Sequence, residues 1–280
     1  MSTLTLHAPA KLNLSLRVLE KRADGFHAID TVMVKLPGLA DQLEFRDSSG
    51  FAFVCDDPDL PGAEHNLVVK AVRAYEAAAG LACKCSITLR KSIPHSAGLG
   101  GGSSDAATTL LGLDQQHAGL LGTARLHELA ASLGSDVAFF LTAGAARCTG
   151  RGETIAPLPS PPPPLPVLLL KPAFGVSTAD AYGRWSGSRD LPGLSHGPQE
   201  IAGISLVNDL ERPVFGKHRF LAELKQWLLQ RHETAAALLC GSGSTVCAVL
   251  HPDTDAQALA RCARHELDPG LWHWAGTTGT

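Results

Sequence analysis

Three short stretches carry residue types that chemistry needs. The first, His95 to Leu113, reads HSAGLGGGSSDAATTLLGL. Gly98, Gly100, Gly101 and Gly102 run straight into Ser103, Ser104 and Asp105, and a helix-period pattern follows. Glycine at such a junction lets the backbone take positive φ and approach another group closely, at an entropic cost. Successive backbone N–H groups in such a loop form a concave anion site, and a helix N-terminus adds about half a positive charge. The serine hydroxyls add donors, and either could touch a metal. The combination suits phosphate oxygens; the alternative is a structural loop-to-helix turn. A Walker A loop would need a lysine that is absent here. A dinucleotide fingerprint would need a βαβ setting, which this mid-chain loop lacks. Asp105, in the first helical turn, reads as a carboxylate favoured by the helix dipole.

The second stretch is APAKLNLSL, residues 8–16. On a strand, Lys11 and Asn13 share a face. Lys11 is either a surface lysine on a long stem or a cation held inside a site. The third is the turn Gly241, Ser242, Gly243 within LLCGSGSTVC, between two strand-like runs. Asp136, in LGSDVAFF, stands apart from these. It follows a helix end and enters an apolar run, so it is either a cap or a carboxylate that needs a partner.

These residues must be positioned by a mixed set of elements. TLTLHA, LNLSLRVL and AIDTVMVKL alternate like strands, with DGFH (24–27) as a turn. NLVVKAVRAYEAAAG reads as a helix capped by Asn66 and ended by Gly80. CSITLRKSI is a strand reaching Pro94; SSDAATTLLGLDQQ and ARLHELAASLG are helices. SLVNDLERPVF, with Asn208 and Asp209 opening it, and HRFLAELKQWLLQRH also read as helical. DAQALARCARHEL is a further helix and LWHWA a last strand whose two tryptophans suit a core. Strands and helices mix without regular βαβ alternation. The expectation is α+β in two domains, residues 1–156 and 167–280, joined by the stiff Pro-rich segment 157–166.

Composition narrows the function classes. The 280 residues are 45% hydrophobic and carry a formal charge of −3, with no long basic run, which argues against a nucleic-acid backbone binder. No segment has the roughly 18 apolar residues that span a membrane. The start lacks the basic and apolar regions of a signal peptide. Seven scattered cysteines without C-x-x-C spacing read as reduced thiols in a cytoplasmic protein.

In order and spacing, the stretches at 8–16, 94–107 and 239–249 resemble the three motifs of the GHMP small-molecule kinases. KLNLSLRVLEKRADGFHAIDTVM (11–33) and GSDVAFFLTAGAARCTGRGE (134–153) are similar to one branch of that family. That branch moves the γ-phosphate of ATP, with Mg²⁺, onto the 2-hydroxyl of a diphosphocytidyl-methylerythritol in non-mevalonate isoprenoid synthesis. The resemblance implies a two-domain α+β fold with the active site in the cleft between the domains. It makes Asp136 the base for the substrate hydroxyl and places Lys11 beside it, with Asn13 on the substrate's hydroxyls. It assigns ATP to Pro94, Gly98, Leu99, Gly100, Gly101, Gly102, Ser103 and Ser104. It assigns the cytosine to Phe26 and His27, with Tyr182 on the other face, and the substrate's phosphates to Gly241, Ser242 and Gly243. Members often carry tyrosine where this chain has Phe26, so stacking survives and a hydroxyl contact does not. The metal ligands stay open, with Ser104 as a candidate. The implied partners are small molecules, with no nucleic acid and no membrane, in a monomer or homodimer. The alternatives are another GHMP kinase, or a non-catalytic nucleotide sensor on the same fold.

Overall fold

A computed structural model describes residues 3–58 and 63–279. The chain opens with a long antiparallel hairpin, β1 (Thr3–Lys21) and β2 (His27–Asp47), turning at 22–26. Then come β3 (Ala52–Cys55), α1 (Leu67–Ala79), β4 (Cys85–Arg90), α2 (Gly101–Gln116) and α3 (Gly122–Leu133). A second hairpin, β5 (Ala146–Gly150) and β6 (Thr154–Pro157), precedes β7 (Pro166–Lys171) and α4 (Thr178–Gly183). β8 (Gln199–Ile201), β9 (Ile204–Asn208), α5 (Glu211–Lys217) and α6 (Arg219–Leu229) follow. The chain ends with β10 (Thr234–Leu239), β11 (Val246–Leu250), α7 (Ala256–Glu266) and β12 (Trp272–Thr277).

Two sheets result. One runs β3-β4-β2-β1-β9-β8, with β5 on β2 and β6 on β5; the other runs β10-β11-β7-β12. The architecture is α+β, as the sequence suggests. Phe45, Val72, Tyr75 and Leu110 belong to the core under α1–α3. Leu12 and Leu36 meet Leu169 and Leu238 between the sheets. Leu168 and Leu170 meet Phe215, Leu224 and Leu259 beneath α5–α7. β7 therefore buries both faces, which explains its unbroken VLLLK.

The helix expected over SLVNDLERPVF is corrected by the structure. Residues 204–208 form β9, which pairs in parallel with β1 through Ser15↔Val207 and Leu16↔Asn208. α5 begins only at Glu211. Apolar residues at 206, 207, 210, 214 and 215 imitate helical spacing, but strand pairing with β1 overrides it. The hairpin β5–β6 carries no strand expectation at all; its register on β2, Ile29↔Gly150, brings residue 151 beside the 22–27 turn.

Candidate active site

Burial is continuous from Ala8 to Leu14 except at Pro9, because both faces of β1 are covered there. Ala10, Leu12 and Leu14 join the core between the sheets. Lys11 and Asn13 share the other face, as the strand period requires, and line a cavity of about 940 Å³. Only 4% of Lys11 is exposed. Its ammonium donates to Asn13 Oδ1 at 2.6 Å and lies 3.4 Å from Asp136 Oδ2. Asn13 in turn donates to Thr31 Oγ1 at 2.8 Å, which fixes the amide. Asp136 does not cap a helix: the turn after α3 presents its carboxylate, 30% exposed, to the cavity.

The glycine loop wraps over the Lys11 stem. Gly98 and Gly100 carry φ of +78° and +72°. A Cβ on Gly100 would stand 2.8 Å from Lys11 Cγ. The Leu99 carbonyl accepts from the Lys11 backbone N–H at 2.9 Å. α2 starts immediately after, so its free N–H groups face the cavity that Pro94, Gly98–Ser103 and Asp105 line. Ser104 departs from its expectation. It is fully buried, its hydroxyl has no partner among the described residues, and it is off the cavity wall. One helical step of about 100° separates it from Ser103, which does line the cavity.

The Gly241–Gly243 turn closes the opposite side. Ser244 and Thr245 donate to the carbonyls of Ser96 and Ala97 at 3.3 and 3.2 Å. A Cβ on Gly241 would lie 3.2 Å from Lys11 Nζ. Asn208 holds this turn from behind: its amide donates at 2.7 Å to the carbonyls of both Leu239 and Gly241. Asp209 ties the same segment to β1, accepting from Val18 N at 2.9 Å.

At the far end, Phe26 is exposed on the turn that Asp24 closes by accepting its N–H at 3.1 Å. Tyr182 stacks on His27, with centroids 5.8 Å apart and planes 24° apart, and Trp185 meets His27 edge-on. The sequence does not announce that pairing. Phe26, His27 and Tyr182 all line the same cavity as Lys11.

Sequence reasoning missed one buried cluster. Lys91 sits between Asp41 and Asp105; its contact with Asp105 Oδ2 is 2.7 Å, and it also donates to Asp41. Asp41 further accepts the N–H groups of Ser92 and Ile93 at 2.6 and 2.8 Å. Asp105 is thus a buried ion-pair member rather than a plain dipole partner, and its Oδ1 has no partner among the described residues. Burial pushes its carboxyl up to about 7, with Lys91 opposing and Asp41 reinforcing the shift. A carboxyl whose folded pKa exceeds its unfolded value contributes stability below the unfolded pKa and loses it as pH rises through the folded one. Asp105→Asn is therefore expected to gain stability relative to the wild type as pH climbs from about 4 to about 7. Melting temperatures of both proteins across that range check this; a constant difference would refute it.

Family models match on both sides of the Pro-rich segment: the GHMP kinases N terminal domain at residues 66–144 and the GHMP kinases C terminal at 196–268. A homoserine kinase structure from Cytophaga hutchinsonii superposes with a TM-score of 0.73 over 99% of this chain and 95% of its own, at 17% identity, which speaks for the fold alone. Fold and matched domains together define the class: the chain belongs to the GHMP kinases.

The branch follows from nearer relatives. The 4-diphosphocytidyl-2-C-methyl-D-erythritol kinase of Methylacidiphilum infernorum is 39% identical over 95% of this chain and 93% of its own. A crystal structure of 4-(cytidine 5'-diphospho)-2C-methyl-D-erythritol kinase is 34% identical, with a TM-score of 0.79 over 99% of this chain and 100% of its own. Within the GHMP kinases, the chain is a member of the 4-diphosphocytidyl-2-C-methyl-D-erythritol kinase family.

Proposed function

We infer that this protein is an ATP-dependent small-molecule kinase that phosphorylates the 2-hydroxyl of 4-diphosphocytidyl-2-C-methyl-D-erythritol, in the methylerythritol phosphate route to isoprenoid precursors. The observation that carries the chemistry is the Lys11–Asp136 contact of 3.4 Å, set in the cavity that the glycine loop and the Gly241 turn enclose. Both family halves border that cavity, and relatives named for this activity span nearly the whole chain.

In this reading Asp136 accepts the proton of the substrate hydroxyl, and Lys11 steadies the negative charge that grows on that oxygen. Asn13 orients the polyol from the same strand face. The glycine loop and the N-terminus of α2 cradle the triphosphate. Phe26, His27 and Tyr182 hold the cytidine end. Residues 1–156 and 167–280 serve as the two halves of the cleft, although β8 and β9 return to the first sheet.

Mg²⁺ fits this donor set. No group of three His, Cys, Asp or Glu residues able to hold a metal occurs among the described residues. Mg²⁺ commonly keeps several waters and binds through one or two protein oxygens plus substrate phosphates. The Ser103 hydroxyl, rather than that of buried Ser104, is the loop oxygen able to join it. The ion would neutralise charge on the transferring phosphoryl group. No helix among the described residues is long and apolar enough to cross a membrane. All seven cysteines are unpaired, which supports a cytoplasmic setting.

Phosphorus NMR of the protein mixed with ATP, Mg²⁺ and the cytidylylated alcohol tests the assignment. A new phosphomonoester coupled to the 2-position of the alcohol is expected. Hydrolysis of ATP to free phosphate, with the alcohol unchanged, would contradict it.

A further inference from the structure

The junction between β9 and α5 is buried, rich in hydrogen bonds and unused by the chemistry described so far. Only 2% of Asn208 is exposed. Its amide is fully engaged. Nδ2 donates to the Leu239 and Gly241 carbonyls, each at 2.7 Å, and Oδ1 accepts the Leu210 N–H at 2.9 Å. The Gly241 carbonyl has no other donor among the described residues. The amide has one workable orientation, because turning it over would set its oxygen against two carbonyls.

The same short segment grips a second element. Val207 and Asn208 pair with Ser15 and Leu16 of β1. The Asp209 N–H donates to the Leu16 carbonyl at 2.9 Å. The Asp209 carboxylate accepts from Val18 N at 2.9 Å and from Arg17 Nη1 at 3.1 Å. β1 is the strand that carries Lys11 and Asn13. The junction therefore clamps that strand with its backbone and Asp209, and the Gly241 turn with Asn208. The gap between the two is narrow. A Cβ on Gly241 would stand 3.2 Å from Lys11 Nζ, 3.4 Å from Asn13 Oδ1 and 3.1 Å from the Gly98 carbonyl oxygen. Any movement of the turn relative to β1 changes the surroundings of the Lys11 ammonium directly.

We propose that Asn208 is a positioning residue for phosphoryl transfer: it fixes the Gly241 turn against Lys11, and so holds the ammonium in its working place beside Asp136. The proposal rests on the functional reading above and adds a residue to it. Asn208 is off the cavity wall, so it acts through the turn's backbone and touches neither substrate nor nucleotide. Its influence falls on the reacting end of the cavity, away from the aromatic end that holds the base.

Steady-state kinetics and thermal melts of two variants test this. Asn208→Asp keeps the size of the side chain but loses both donors, and Asn208→Ala loses the amide. Each leaves buried carbonyls without a donor, so each should melt lower than the wild type while staying folded. Their kcat should fall roughly ten- to a hundredfold, the scale of a small misplacement near the reacting groups, with KM for the cytidylylated alcohol within about threefold. Val72→Ala, in the core under α1–α3, is the control: its Tm should fall while kcat stays within about twofold. A cycle with Lys11 separates positioning from plain destabilisation. Added to Lys11→Met, Asn208→Ala should cost less than about threefold in kcat, because the group it positions is gone. Equal fold losses in the two backgrounds, a wild-type kcat in the folded Asn208 variants, or loss of folding in both would overturn the proposal and leave Asn208 a purely structural residue. A wild type without turnover would overturn the functional reading itself.

Discussion

Asp136→Asn is expected to lower kcat by about a thousandfold, within the span attributed to positioned general bases, while ATP affinity stays within about threefold. The amide keeps the size of the carboxylate but cannot take up the hydroxyl proton. The fold should tolerate the change, because the side chain is 30% exposed and caps no helix. Lys11 keeps Asn13 Oδ1 as an acceptor at 2.6 Å. With Lys11 and Asp136 proposed to act on the same proton transfer, Lys11→Met combined with Asp136→Asn should cost much less than the product of the two single losses. Steady-state kinetics with thermal melts read both effects. A kcat within tenfold of wild type, or loss of folding in the single variant, would remove Asp136 from the role.

Gly98→Ala is expected to be nearly as damaging, for a backbone reason. Its φ of +78° is one that L side chains rarely adopt. A Cβ there would fall 1.9 Å from the Cys240 carbonyl oxygen and 2.9 Å from the Gly243 nitrogen. Both are backbone atoms, so no rotamer change relieves the clash. The glycine loop and the Gly241 turn would have to part, and they are the two walls that meet around Lys11. The expected outcome is a KM for ATP raised more than tenfold and a Tm lowered by about 5–10 °C, at roughly 2–4 °C per kcal/mol. Gly102→Ala is the control. It is helical, and its Cβ would make only a 3.6 Å contact with Leu67 Cδ1. Its Tm should hold or rise by about 1–3 °C, since alanine outranks glycine in a helix by roughly 0.5–1 kcal/mol. Equal behaviour of the two variants would refute the packing account.

The parts of the site legible in the sequence are those written in local spacing. Lys11 and Asn13 are two apart on an alternating strand, and they do share a face. The glycine run before a helix pattern does form a loop with positive φ at Gly98 and Gly100. The turn at Gly241–Gly243 does separate two strands. Asp136 is a weaker case, since its local signal fits a cap as well as a site and only the family resemblance separates the two. What stayed hidden depends on long-range register. Asp41 reaches Lys91 and Asp105 because β2 and β4 pair, and nothing near Asp41 advertises a partner fifty residues away. Arg151 meets Phe26 through the β2–β5 pairing. Asn208 reads as helical because its neighbours' apolar spacing imitates the helical period, and only pairing with β1 decides for the strand.

The most direct test of the central claim is ADP release with ATP and Mg²⁺ across a panel of alcohols. It sets 4-diphosphocytidyl-2-C-methyl-D-erythritol beside the same alcohol without CMP, homoserine, mevalonate and galactose. The account predicts turnover with the cytidylylated compound alone. Turnover with a different alcohol, or silence toward all of them in a protein that still binds ATP, would contradict it.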